Sequence, residues 1–306
     1  MGFIERNAAF IITLLLALGI FFSLFFAELL GHRFGLGQVV VYEVNPLYGY
    51  RPAPNQSVTR HKATVELNHQ GLRTDNSWET DNLNKVLFLG DSITYGGSYI
   101  DNNELFSYLS TRDIPEVVSA NAGVNGWGVS NVAGLVVDYD FTPANIYIST
   151  FPEEDFIRGL NRMSGSPFWP HKPKYALSEL WHYLLYKLSL RKFDKLDYPL
   201  NGAQWIKVKE KAVLDLKRMH QHLLEQGYQH LIFITPTKAQ AKKLENIDTE
   251  LQSLFIKEDL PVIYLNQEIE LEEKNIDSLY HDAAHLSVEG HALWSKTYEA
   301  HIKTLL

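Results

Sequence analysis

Apolar and polar positions divide the chain into three stretches of different rhythm. Residues 8–30 form an apolar run of about 23 residues, broken only by Thr13, Ser23 and Glu28, which is long enough to cross a bilayer as a helix. Residues 31–84 are rich in Gly, Pro, Asn and Tyr; 45–54 reads as a succession of turns, and 63–68 alternates apolar and polar as a half-buried strand does. From residue 85 onward, short apolar runs at 86–89, 117–120, 146–149, 231–235 and 262–265 alternate with helical segments. Such alternation predicts a parallel sheet covered by helices on both faces. The clearest helix is 205–226, where Val208, Ala212, Leu216, Met219 and Leu223 return at helical spacing and Gly227 suits the cap. That stripe reads as core. The expected organisation is therefore a tail (1–7), a membrane span (8–30), a β-rich lead-in (31–84) and an α/β domain (85–306) on which the lead-in packs.

Composition adds little to the domain and much to the leader. With 306 residues, 45% of them hydrophobic and 21% charged, the chain can bury one large core. The leader reads as an uncleaved signal anchor, because a cleaved signal has a shorter apolar core and small residues at its end, whereas this run closes on Phe25, Phe26, Ala27, Glu28, Leu29 and Leu30. Arg6 and the amino terminus stand on one side of the span and His32 and Arg33 on the other, so loop charge gives only a slight preference of orientation. The absence of cysteine fits an oxidising or a reducing compartment equally. A net charge of −8 without a large Lys/Arg cluster argues against nucleic acid as a partner, and recognition of anionic membrane is poorly supported on the same ground.

The chemistry is concentrated at two places far apart in the chain. The run 89–96, Leu-Gly-Asp-Ser-Ile-Thr-Tyr-Gly, comes after a strand-like segment and reads as a turn that presents one serine. A hydroxyl is a weak nucleophile until a base removes its proton, and the run 282–287 supplies His285 with an acid, Asp282, three residues before it. Taken singly, Ser92 also reads as a helix N-cap and His285 as a surface histidine ahead of a helix that Ser287 begins. His281, Asp282 and His285, with His291 close by, have the spacing of metal ligands, but no cysteine or second carboxylate pair completes a site, and His291 reads better as part of the last helix. Ligands of open parallel sheets sit outside the carboxyl ends of the strands, and Ser92, Gly126 and Glu154 each stand a few residues after a strand segment.

Gly-Asp-Ser near the start, an Asn-x-Gly-x-x-Gly turn from Asn121 to Gly126 and Asp-x-x-His near the end, in that order, resemble the SGNH (GDSL-type) hydrolase family over roughly residues 85–300. The resemblance implies a three-layer α/β sandwich with a central parallel sheet of the SGNH/flavodoxin-like kind, preceded here by the transmembrane helix and the β-rich extension. It implies Ser92 as nucleophile, His285 as base and Asp282 as the group that orients the base, with no metal and no cofactor. It implies oxyanion donors from the amide of Ser92, the amide of Gly126 and an asparagine in a Gly-x-Asn-Asp block. In that third block the chain reads Pro152-Glu153-Glu154-Asp155, so Glu154 stands where asparagine is expected.

A carboxylate cannot donate a hydrogen bond unless protonated, and its charge would oppose a forming oxyanion. Three accounts of Glu154 stand: it points away and two amides suffice, it is buried and protonated, or the site is weakened. Pro152 favours the first by altering the turn, with Asn125 as a substitute donor; Asp155 reads as a turn or capping residue, and Trp127 lines the acyl or sugar pocket or else belongs to the core. Residues 161–200 carry an aromatic, proline-rich stretch that reads as a lid or as a hydrophobic helix packed on the domain or the membrane. Family members with a leading span resemble envelope proteins, which implies a bacterial inner-membrane protein with its domain on the periplasmic or extracellular side. The implied activity is serine-dependent hydrolysis of acyl esters on an envelope glycan or lipid. O-acyl transfer and non-catalytic glycan binding are the alternatives.

Overall fold

A computed structural model describes residues 7–60, 62–80, 83–162, 168–188, 202–269, 271 and 275–306. Its strands are β1 (Tyr42–Asn45), β2 (Gly49–Pro52), β3 (Gln56–Arg60), β4 (Ala63–Leu67), β5 (Asn84–Gly90), β6 (Val117–Asn121), β7 (Ile146–Phe151), β8 (Gln229–Ile234) and β9 (Val262–Tyr264). The helices used below are α1 (Ala8–Arg33), α2 (Ser92–Tyr95), α3 (Val129–Ala133), α4 (Ala176–Lys187), α5 (Gly202–Glu225) and α6 (Val288–Lys303). Strands β5 to β9 form one parallel sheet in the order β6-β5-β7-β8-β9. All five apolar runs read from the sequence are therefore strands of a single sheet, displaced by no more than a few residues.

The residues of β5 explain why it is central. Its side chains alternate between two cores: Leu87 and Leu89 join the one closed by Ala212, Leu216, Met219 and Leu223 of α5, while Val86 and Phe88 join the one closed by Trp294, Tyr298 and Ile302 of α6. A strand buried on both faces needs a nearly continuous apolar run, which is what the sequence supplies. These two helical layers and the sheet make the three-layer α/β sandwich. The chain leaves β5 for β6 on one side and returns to β7 on the other, so the topological switch point of the sheet lies where β5 ends at Gly90.

The lead-in shares the α5-side core, to which it contributes Tyr48, Tyr50, Val58, Val65, Leu67 and Trp78. Here the turn-rich reading of 45–54 needs correction: β1 and β2 pair antiparallel as a hairpin around that turn. The Asn45 side chain accepts the Leu47 amide at 2.8 Å and Gly49 takes φ +86°, so local turn chemistry hid two short strands. Helix α1 is long and apolar enough to cross a membrane; its most apolar 18-residue window has mean hydropathy 2.7 and none of it is buried.

Candidate active site

Strand β5 runs into Gly90, where a Cβ would collide with the Thr150 carbonyl of β7 and the Thr94 side chain, so close sheet packing requires glycine. Asp91 then caps α2, its side chain accepting the Ile93 amide at 2.8 Å. The cap is thus Asp91 and not Ser92. The Ser92 hydroxyl, relieved of that task, lies 2.8 Å from His285 Nε2.

The histidine comes from a loop that closes on itself. Tyr280 and Leu286 form a bridge, and the His281 amide donates to the His285 carbonyl at 2.8 Å. Within the loop Asp282 Oδ1 accepts the amides of Ala284 and His285 at 2.9 and 2.8 Å, while its Oδ2 lies 2.7 Å from His285 Nδ1. Partial burial raises the Asp282 carboxyl, but the two amides and the imidazole outweigh it and hold the group below the usual carboxylate range. An ionised Asp282 retains the proton on Nδ1 and leaves the Nε2 lone pair aimed at Ser92.

Three side chains fix these halves to each other, to the lead-in and to the second block. Tyr99, on the loop after α2, stacks on His281 with ring centres 3.9 Å apart and donates its hydroxyl to the Leu286 carbonyl at 3.0 Å. Arg73, buried in the lead-in, donates to the carbonyls of Tyr95, Gly97 and Ile100 at 2.6 to 2.7 Å and lies over the Tyr95 ring. Asn121 donates to the Thr94 carbonyl at 2.5 Å and accepts the Gly123 amide at 2.8 Å. Gly126 comes next with φ +76°, where a Cβ would come within 2.9 Å of the Tyr50 hydroxyl. Among the described residues, the backbone amides of Ser92 and Gly126 meet no protein acceptor.

The third block differs from expectation. The Glu154 side chain is 64% exposed and sits 3.8 Å from Arg158 Nη2, so it faces solvent and adds no donor to an oxyanion site. Asp155, expected to be a turn or capping residue, is fully buried. Its Oδ1 is 2.7 Å from Arg158 Nη1, yet no donor is aligned on either carboxyl oxygen. The same Nη1 lies 3.1 Å from Asp91 Oδ2, which is itself 3.4 Å from the Ser92 hydroxyl. Burial and then the Asp91 charge push the Asp155 carboxyl well above its ordinary range, against the pull of Arg158. Arg158 was missed in the sequence; the signal available was its position three and four residues after Asp155 and Glu154.

Trp127 is core and does not line a pocket: it is 1% exposed and its indole donates to the Tyr50 carbonyl at 2.7 Å. Asn125 directs its amide nitrogen to the Tyr42 hydroxyl at 3.1 Å, which leaves at most one N–H for another acceptor. His291, on α6, is buried beneath Gly96 and accepts the Phe106 amide through Nδ1 at 3.1 Å; burial pushes its imidazole down to about 3. Of the 161–200 stretch, residues 163–167 and 189–200 lie outside those described. Phe168 packs on Tyr42 and Tyr50 beside Gly126, and α4 packs on α1.

No protein-family model matches the chain, and no curated protein does. Among solved structures, the chain is similar to a lipase/acylhydrolase from Enterococcus faecalis, at 17% identity and TM-score 0.44 over 73% of this chain and 97% of that one. It is similar to a member of the lipolytic G-D-S-L family from Veillonella parvula, at 12% identity and TM-score 0.40 over 72% of this chain and 99% of that one. A two-domain esterase active on acetylated mannans is similar at 16% identity and TM-score 0.39, over 72% of this chain and 50% of that one.

Proposed function

We propose that the chain is a membrane-anchored serine esterase whose substrate is an acyl ester of an envelope carbohydrate or lipid, met outside the cytoplasm. The observation that carries this reading is the unbroken relay from Ser92 Oγ to His285 Nε2 and from His285 Nδ1 to Asp282, at 2.8 and 2.7 Å. In this reading His285 removes the Ser92 proton as Oγ attacks the ester carbonyl, and the imidazolium is stabilised by Asp282. The amides of Ser92 and Gly126 receive the oxyanion; each such donor contributes about 3 kcal/mol of transition-state stabilisation in well-studied hydrolases. The C–O bond then breaks, the alcohol leaves with the proton from His285, and water resolves the acyl-serine by the same steps in reverse roles.

Arg158 has an electrostatic part in this account. The Asp91 carboxylate beside Ser92 would oppose negative charge building on the substrate oxygen, and the guanidinium at 3.1 Å offsets it. Glu154, turned outward, leaves two amides to serve. The test is labelling of the purified full chain with a fluorophosphonate serine probe. Labelling that disappears in Ser92→Ala and in His285→Ala supports the esterase, whereas an unlabelled parent protein points to a binding protein. Capture of the acyl group by an added sugar, in place of water, would assign transfer.

A further inference from the structure

We propose that the exposed face of α4 lies in the headgroup interface of the same bilayer that α1 crosses, so that the domain meets the membrane at two places and holds one orientation on it. The two helices are joined where the span ends. The Glu28 carboxylate of α1 accepts the Ala176 and Leu177 amides at 2.6 and 3.0 Å, and so caps α4. Gly31 lies against Ala176, close enough that a Cβ on it would be 3.0 Å from the Ala176 Cβ. Glu179, one turn into α4, accepts the Gly37 amide at 2.6 Å and pairs with Arg60 of β3 at 2.5 Å. The end of α1 and the chain after it thus fix α4 to the exit of the span.

The depth of that junction is set by helix geometry. A hydrocarbon core of about 30 Å takes up about 20 helical residues, so a span that begins at Ala8 ends near Glu28. Helix α4 therefore begins at the membrane boundary. Ala176 and Glu179 in its first turn are buried, whereas farther along the row that Ala176 begins, Leu180, Leu184 and Leu188 recur every fourth residue and are 49%, 44% and 57% exposed, with Trp181 beside them at 59%. A water-facing stripe of this size on one helix is costly, and the neighbouring apolar surface is α1, which is itself in lipid. Exposed Arg33, Lys172 and Lys174 flank the junction in sequence and supply positive charge suited to anionic headgroups, while Trp181 and Tyr175 are of the type favoured at an interface.

Because the chain has no cysteine, single-cysteine variants report single positions. The full-length protein in vesicles of phosphatidylcholine and phosphatidylglycerol would carry an environment-sensitive fluorophore at Leu184→Cys, at Leu14→Cys within α1, or at Ile256→Cys, which is 81% exposed on the helix Thr249–Lys257. Blue-shifted emission and several-fold quenching by spin-labelled lipid are expected at residues 14 and 184, and water-like, unquenched emission at 256. A probe at 184 that behaves like the probe at 256 overturns the proposal. So does a probe at 184 shielded from water yet unquenched by lipid, with self-quenching that rises with protein density, since a second copy would then cover the face. Loss of quenching at residue 14 removes the span itself and the proposal with it.

Discussion

The serine and the histidine of the proposed relay are held by opposite means. Ser92 stands at the end of a strand buried on both faces, on a turn whose carbonyls are gripped by Arg73 and Asn121 from two other elements. His285 and Asp282 sit on a partly exposed loop, with side chains 31% and 49% accessible; hydrogen bonds within seven residues orient the pair, and the Lys238 amide on the Ala283 carbonyl and the Tyr280 hydroxyl on the Pro236 carbonyl, both at 2.9 Å, moor the loop. Long-range packing fixes the first half and local closure the second. The contrast teaches that a hydroxyl in such a relay needs its position set by the core, whereas an Asp-x-x-His pair can orient itself and needs only to be delivered, a task shared by Tyr99 stacked on His281 and by the bonds of Lys238 and Tyr280.

The harshest way to break this comparison is to remove the atoms that meet. Ser92→Ala and His285→Ala should each lower kcat for a soluble acyl ester by roughly 10⁴-fold or more, with unchanged thermal unfolding, because members of a triad act as a unit. Near-parental turnover by either variant would end the serine mechanism. On the local side, Asp282→Asn should cost about 10³–10⁴-fold in kcat while KM stays nearly constant, since the amide leaves geometry in place and favours the wrong imidazole tautomer. A loss confined to KM would show that Asp282 binds substrate instead.

Beneath the serine, Arg158→Ala should lower stability by roughly 3 kcal/mol in chemical denaturation, because it leaves Asp91 and Asp155 buried without their cation. A neutral result would show that neither buried carboxyl depends on the guanidinium for stability. The pH dependence separates these. Asp155 has a folded-state pKa above its unfolded value of 3.8, so the native state holds the extra proton and stability falls as pH rises from about 4 through the raised pKa. Asp155→Asn should flatten that decline in thermal melts between pH 4 and 8; an unchanged slope would place the titration elsewhere. The smallest effect is expected at Glu154→Asn, no more than about twofold in kcat, since the carboxylate is turned to solvent and screened. A gain of tenfold would mean that Glu154 turns inward when substrate binds.

The buried sheet was readable because each of its strands is a nearly continuous apolar run, and helix α5 because Ala212, Leu216, Met219 and Leu223 repeat with the helical period; both are signals carried by neighbours in sequence. The β1–β2 hairpin was not, since strands of four residues separated by the short turn Pro46-Leu47-Tyr48 have too few positions to show alternation. Ser92, Gly126, Asp282 and His285 stood out by motif, and the meeting of Ser92 with His285 across 193 positions needed the motifs' order to be suspected at all. Trp127 gave no local sign of being core, because a tryptophan between two glycines is compatible with a pocket wall or with the indole bond to Tyr50 that it makes.

By itself the sequence determined the membrane-length apolar helix, the alternation that yields a doubly covered parallel sheet, and the residue types able to form a serine relay, because each of these depends on periodicity or on groups a few residues apart. Only tertiary structure decided which way Glu154 faces, that Asp155 and Arg158 pack beneath Ser92 with Asp91, and that Glu28 of α1 caps a helix almost 150 residues later. Those outcomes turn on burial and on charges brought together from distant segments, and the energy of a charge depends on what surrounds it in space, which no local pattern in the chain records.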